Sequence, residues 1–168
     1  MTRNIRYNEF MQETLAQLPR GAFLSVKAGE IMNTMTIGWG FAGFMWRTPM
    51  LIVAVRPSRY TFDLMEKADN FTVSFPAHGE LKKTLADVGR ASGRDTDKFI
   101  TFNLTPQPGT MIESPSIAEC HLVYECQLLY KHPLEPELLP SEIKSLFYPE
   151  GDYHTLFFAK ILASYINE

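Results

Sequence analysis

The sequence predicts a mainly β fold, an antiparallel barrel with a few short helices, and three observations support it. Apolar runs are short and broken by glycine or proline, several alternate in polarity, and helical spacing appears only in isolated patches. Strand and helix never alternate regularly enough for a doubly wound sheet, and closure into a barrel would protect the edges of many short strands.

Residues 8–18 place Phe10, Met11, Leu15 and Leu18 near helical spacing before Pro19, which reads as a short amphipathic helix packed on the barrel. The runs AFLSV, IMNTMTIG and MLIVAV follow as the first three strands, punctuated by Gly29, Gly43 and Pro49. After Pro57, Phe62, Leu64 and Met65 suggest a short helix, and NFTVSF returns to strand character. Leu81, Leu85 and Val88 then repeat at helical spacing, with Gly89 expected just past the helix end.

The polar stretch 89–97 reads as a loop, with Asp95 the expected cap of a brief helix holding Lys98 and Phe99. TPQPGTMIESPS carries three prolines and is expected to be an irregular surface excursion. Residues 117–130 alternate through Ala118, Cys120, Leu122, Tyr124, Cys126, Leu128 and Tyr130, which predicts the longest strand. Another proline-broken insertion covers 132–152, and HTLFFAKILASYI forms the last strand. With neither a repeat nor a linker, residues 1–168 are expected to make one domain.

The net charge of -3 offers no basic stripe to release counterions from a phosphate backbone, so no nucleic-acid partner is expected. No run approaches the roughly 20 apolar residues that span a bilayer, and MTRNIRYNEF lacks the apolar core of a signal peptide, so neither a membrane partner nor export is expected. A cytoplasmic location is the resulting expectation. Cys120 and Cys126 are the only cysteines; on one strand they would stand about 20 Å apart, beyond the roughly 7 Å that a disulfide allows. Two free thiols suit a reducing compartment. The four histidines are scattered without CxxC or HExxH spacing, and no metal site is expected.

Three polar clusters sit where strands end. Asn33, Thr34 and Thr36 in MNTMTIGWG precede Gly38 and Trp39, small and hydroxyl residues that would let a flat polar ligand lie against the backbone. The same residues would also suit an ordinary hairpin edge. In RPSRYT, Arg56, Ser58, Arg59, Tyr60 and Thr61 stand at a strand-to-helix junction, where guanidinium and hydroxyl donors could cradle a phosphate or merely cap a solvated turn. In SGRDTDKF, Ser92, Arg94 and Lys98 add positive charge to one loop, which could close on a dianion or stay a solvated charge run.

The ordered series Asn-x-Met-Thr-x-Gly-Trp, Arg-Pro-x-Arg-Tyr-Thr, Asn-Phe-Thr-Val-Ser, Ser-Gly-Arg-Asp-x-Asp-Lys-Phe and His-Thr-Leu-Phe-Phe resembles the flavin reductase-like, FMN-binding split-barrel family of flavoredoxin type. The resemblance runs from about Phe23 to Lys160. It implies an FMN-binding split barrel in which the strand holding Asn33, Met35, Thr36, Ile37, Gly38 and Trp39 contacts the isoalloxazine and ribityl groups. It also implies that Arg56, Ser58, Arg59, Tyr60 and Thr61 surround the phosphate, with Ser92, Arg94 and Lys98 approaching from the following loop. His154 would sit near the flavin face where a substrate arrives, and homodimerisation with FMN near the interface is implied as well. This chain departs in two places: relatives often carry Cys-Gly ahead of Ser-Gly-Arg, whereas Val88-Gly89-Arg90-Ala91 offers no thiol, and Ala159 replaces a glycine.

The implied activity is NADH- or NADPH-dependent reduction of FMN, with electrons passing to a small-molecule or protein acceptor. No GxGxxG follows a strand, so the nicotinamide would bind transiently, with His154 and Trp39 the candidate residues at that face. A bland alternative makes His154 a strand-end histidine bonded to a loop carbonyl. A non-catalytic FMN electron-transfer protein, reduced by a partner protein, is the principal alternative, and a flavin-free scaffold a weaker one.

Overall fold

The computed structural model describes residues 2–168. It contains β1 (Thr2–Asn4), α1 (Met11–Gln17), β2 (Ala22–Ala28), β3 (Ile31–Ile37), β4 (Gly40–Met45), β5 (Thr48–Val55), α2 (Tyr60–Met65) and β6 (Asn70–Phe75). Then come α3 (Lys82–Arg90), α4 (Lys98–Thr101), β7 (Pro106–Gln107), β8 (Ser116–Ile117), β9 (Leu122–Pro133), α5 (Ser141–Phe147) and β10 (Thr155–Asn167). The main sheet runs β3-β2-β6-β9-β10-β5-β4, with β1 beside β10 and every pairing antiparallel. This is the mainly antiparallel split barrel that the sequence predicts. Beyond β3 the chain crosses to β5, where the Ala54 N–H donates to the Trp39 carbonyl at 3.3 Å.

Period-two alternation divides β2 between two cores. Ala22, Leu24 and Val26 enter the barrel with Val53, Phe71, Tyr124 and Phe157, while Phe23 turns outward to Leu85, Val88, Phe99 and Ile117 beneath α3 and α4. That second cluster presses α3 against the outer face of β3, and the helix thereby becomes one wall of the site described below.

Several expectations are corrected. The α1 face buries Thr14 and Gln17 while Leu15 is half exposed, because Thr14 and the Tyr124 hydroxyl bond across the interface at 2.9 Å. Gly89 lies inside α3 rather than beyond it, at a place where a Cβ would already touch Thr36 at 3.4 Å. Asp97, not Asp95, caps α4, its carboxylate accepting from the Phe99 and Ile100 N–H groups, because it immediately precedes the first helical residue. The strand expected over 117–130 begins only at Leu122, since Ile117 and Cys120 close a turn through their backbones. Cys120 consequently lies in the outer cluster and Cys126 in the barrel core.

The prolines of 105–116 leave room for the two-residue ladder of β7 with β8, and 132–152 contains α5. β1 and β4 had no counterpart in the sequence reading. β4 and β5 form a hairpin whose turn residues Trp46 and Arg47 both adopt positive φ, 54° and 59°, the pairing favoured where strands must keep their twist.

Candidate functional site

Two abutting cavities share Met35, Thr36 and Arg59. The inner lobe, about 100 Å³, is lined by Asn33, Ser58, Tyr60, Thr61, Ser92, Gly93 and Lys98 among others. The outer lobe, about 200 Å³, adds Ile37, Gly38, Trp39, Ala54, Arg56 and His154. Every candidate residue from the sequence except Arg94 and Thr34, which is buried with its hydroxyl bonded to Ser25 and the Leu24 carbonyl, therefore lines one groove, although the segments are separated by up to 121 positions from Asn33 to His154.

The inner lobe is built by close backbone approach. Asn33 and Thr61 are both buried, and the Asn33 amide donates to the Thr61 hydroxyl at 2.8 Å, tying β3 to the start of α2. A Cβ at Gly93 would lie 2.3 Å from the Asn33 side-chain oxygen and 2.7 Å from the Tyr60 ring, so only glycine lets the 91–97 loop close here. Thr36 spends its hydroxyl proton on the Leu85 carbonyl at 2.6 Å, which fixes α3 against the groove.

Charge in this lobe is unbalanced. Lys98 is 4% exposed, and its ammonium donates only to the Val88 carbonyl at 3.0 Å, with no carboxylate partner among the described residues. Burial, reinforced by the positive charge of Arg59, pulls the Lys98 ammonium down to about 8. The Arg59 guanidinium makes no hydrogen bond or ion pair among the described residues and borders both lobes. A buried cation and a free one beside hydroxyl and amide donors are what a phosphate monoester requires.

Other predicted cations have different work. Arg94 bonds the Asp63 carboxylate at 2.6 Å and the Ser58 carbonyl at 3.1 Å and lies over the Tyr60 ring, so it clamps the loop to α2 from outside the groove. The Arg56 guanidinium donates to the Phe147 carbonyl at 2.8 Å and the Asp152 carbonyl at 3.2 Å, and stacks over Tyr148. It borders the outer lobe while holding the 134–152 strap in place. Ser58 presents its N–H and hydroxyl to the Asp152 carboxylate, at 3.1 and 2.6 Å.

The strap also completes the outer lobe. Phe147 meets Trp39 edge-on at 5.2 Å, and Trp39 lies 4.8 Å from the His154 ring. Tyr148, 5% exposed, bonds the His154 Nδ1 at 2.7 Å. Burial, then the Arg56 charge, lower the His154 imidazole to about 4, so it is neutral at physiological pH. Phe147, Tyr148 and Asp152 were not singled out from the sequence; their proline-broken segment shows no periodicity that would aim them anywhere.

The family model for the flavin reductase like domain matches residues 17–168. The chain belongs to the flavin reductase-like family. An uncharacterised protein of Archaeoglobus fulgidus is 31% identical over 144 residues, covering 86% of this chain and 71% of that one. Among solved structures, the FMN-binding protein of Thermus thermophilus with bound 1-cyclohex-2-enone superposes with a TM-score of 0.69 at 26% identity, covering 88% of this chain and 70% of that chain. Flavoredoxin from Methanosarcina acetivorans gives 0.68 at 27% identity, over 88% and 68% of the two chains. Membership places the chain in a family of flavin-related oxidoreductases with the split-barrel fold.

Proposed function

We propose that the groove holds FMN and that the protein oxidises NADH or NADPH and passes the electrons to a small-molecule or protein acceptor. The observation that carries this reading is the pairing of Lys98, buried without a carboxylate, with Arg59, unpaired at the junction of the lobes. Both solved relatives named above support the choice of cofactor, one as an FMN-binding protein and one as a flavoredoxin.

Lys98, Arg59, Ser58, Thr61 and Ser92 would hold the phosphate, and Asn33, Met35, Thr36, Ile37, Gly38 and Trp39 would border the ring and ribityl chain. Tyr60 supplies a wall of the phosphate lobe, and Arg94 keeps the loop closed. Bound FMN supplies a store of two electrons that leave singly or as hydride. His154 and Trp39 orient the incoming substrate at the outer lobe, while Phe147 and Tyr148 keep water from one side.

A homodimer is part of the proposal. Phe41 and Met45 share one face of β4 at 64% and 36% exposure, with Phe44 64% exposed on its other face and Trp46 57% in the following turn, apolar groups suited to contact with a second copy. Within the described residues no helix is long and apolar enough to cross a membrane, and a cytoplasmic setting, where nicotinamides and free thiols coexist, completes the proposal.

Anaerobic mixing of the FMN-loaded protein with NADH and then NADPH tests the reading. Bleaching of the flavin absorbance is expected. A protein that stays yellow with both nicotinamides, yet bleaches with a reduced partner protein, would instead be an electron carrier. Failure to take up FMN at all would sink the proposal, and light scattering decides the dimer.

A further inference from the structure

We propose that Tyr148 fixes the His154 imidazole with its proton on Nε2, making the outer lobe a receptor for flat substrates that carry a hydrogen-bond-accepting carbonyl oxygen. This deepens the function proposed above and rests on it for the placement of substrate, though not for the state of the histidine.

Tyr148 is almost fully buried, and His154 Nδ1, at 2.7 Å, is the hydrogen-bond partner of its hydroxyl. Among the described residues no other acceptor lies within hydrogen-bond reach of the hydroxyl, so satisfying its buried proton assigns Nδ1 as an unprotonated acceptor. A neutral imidazole that accepts at Nδ1 carries its proton on Nε2. Burial, the Arg56 guanidinium and, more weakly, Arg59 keep the ring neutral against the opposing pull of Asp152.

The lobe around that donor favours a planar ligand. Trp39 lies 4.8 Å from the His154 ring, and Met35, Ile37 and Ala54 line the same cavity. Phe147 buttresses Trp39 from the strap. Arg56 borders this lobe but is committed to the Phe147 and Asp152 carbonyls, and Arg59 also borders the inner lobe, so the imidazole N–H, beside the Trp39 indole N–H, is a neutral donor available to select among flat molecules. An acceptor oxygen would satisfy it, whereas an isosteric hydrocarbon would leave it desolvated and unpaired. Tyr148 thus acts as a positioning residue, delivered by a segment whose sequence shows no sign of such a role.

Two measurements test this. Nitrogen-15 NMR of the apoprotein near pH 7 is expected to show His154 protonated at Nε2 and bare at Nδ1, with Tyr148→Phe producing a mixture of tautomers. Perturbation of the oxidised flavin spectrum is expected to show benzaldehyde binding about three- to tenfold tighter than styrene, its near-isostere without oxygen, and Tyr148→Phe is expected to bring that ratio close to one. A proton on Nδ1 in the unsubstituted protein, equal binding of the two probes, or a preference that survives Tyr148→Phe would each overturn the inference. A chain that takes up no FMN sinks the proposed cofactor alone; the tautomer, and the same two probes titrated calorimetrically into apoprotein, then still decide the role of Tyr148.

Discussion

The Lys98 ammonium donates to the Val88 carbonyl at 3.0 Å, a neutral acceptor from the last turns of α3 that leaves the charge of a buried lysine uncompensated. Folding accepts this because Lys98 begins α4 directly after its Asp97 cap, and Phe99 anchors the same turn in the outer cluster. A dianion arriving in the groove would supply the missing countercharge.

Lys98→Met should therefore weaken FMN binding by about 1.5–3 kcal/mol while leaving riboflavin, which has no phosphate, nearly unaffected. Arg59→Ala should act in the same direction but less, because its exposed guanidinium is screened by solvent. Titration of both flavins checks this, and equal losses for the two would remove Lys98 from the phosphate lobe. The pH dependence has a definite sign. Bound phosphate favours the charged lysine, so FMN affinity should fall as pH rises from about 8 toward the ordinary lysine value of 10.5. Without ligand the unfolded chain holds the extra proton over that window, so apoprotein stability should rise there instead.

Gly93 is expected to tolerate no side chain. A methyl group would meet Asn33 at 2.3 Å and Tyr60 at 2.7 Å, and Asn33 is already held by Thr61. Gly93→Ala should push the 91–97 loop outward, lowering the melting temperature by several degrees, on the order of 1–3 kcal/mol, and opening the inner lobe. Thermal melting with and without FMN checks this: the stabilisation that added FMN gives the unsubstituted protein should largely vanish.

Asp152 places a carboxylate on the Ser58 N–H and hydroxyl, donors at the edge of the inner lobe. It adopts φ 58°, a conformation that asparagine accepts as readily as aspartate. Asp152→Asn removes a negative charge beside the groove without forcing the backbone, so FMN affinity should rise a few-fold. It also weakens the tie between strap and barrel, and limited proteolysis between residues 134 and 152 should accelerate. A loss of FMN affinity would show instead that the carboxylate supports the lobe.

These residues also show what a single sequence discloses. Asn33, Arg59, Ser92 and Lys98 were legible because each belongs to a polar cluster that interrupts apolar runs, and the order of the clusters carried the family resemblance. Their geometry was not: nothing local distinguishes Arg94, which clamps Asp63, from Arg59, which is left unpaired. β4 stayed hidden because Gly40 and Gly43 mimic loop punctuation, although Gly40 is glycine because a Cβ would strike the Ile52 carbonyl at 2.5 Å. Phe147, Tyr148 and Asp152 reach the site only through tertiary bonds to Arg56, Ser58 and His154, which no periodicity encodes.

Glu125 offers a test of the scaffold away from the groove. It is fully buried on β9, and its carboxylate accepts from the Thr110 N–H at 2.7 Å, the Thr110 hydroxyl at 3.0 Å and the Met111 N–H at 2.7 Å. These three bonds pin the proline-rich excursion across the sheet, which explains how a segment with so little secondary structure keeps one conformation. Glu125→Ala would leave two backbone N–H groups without their acceptor and open a cavity in a packed strand, and should cost about 3–5 kcal/mol. Glu125→Gln can accept at one oxygen only and presents an amide N–H to a donor, so it too should destabilise, by about 1–3 kcal/mol. Denaturant unfolding measures both, and hydrogen exchange should localise the loss to the Thr110 and Met111 amides. Because this contact lies outside the groove, flavin binding to the fraction that remains folded should be unchanged, which separates a stability defect from a site defect.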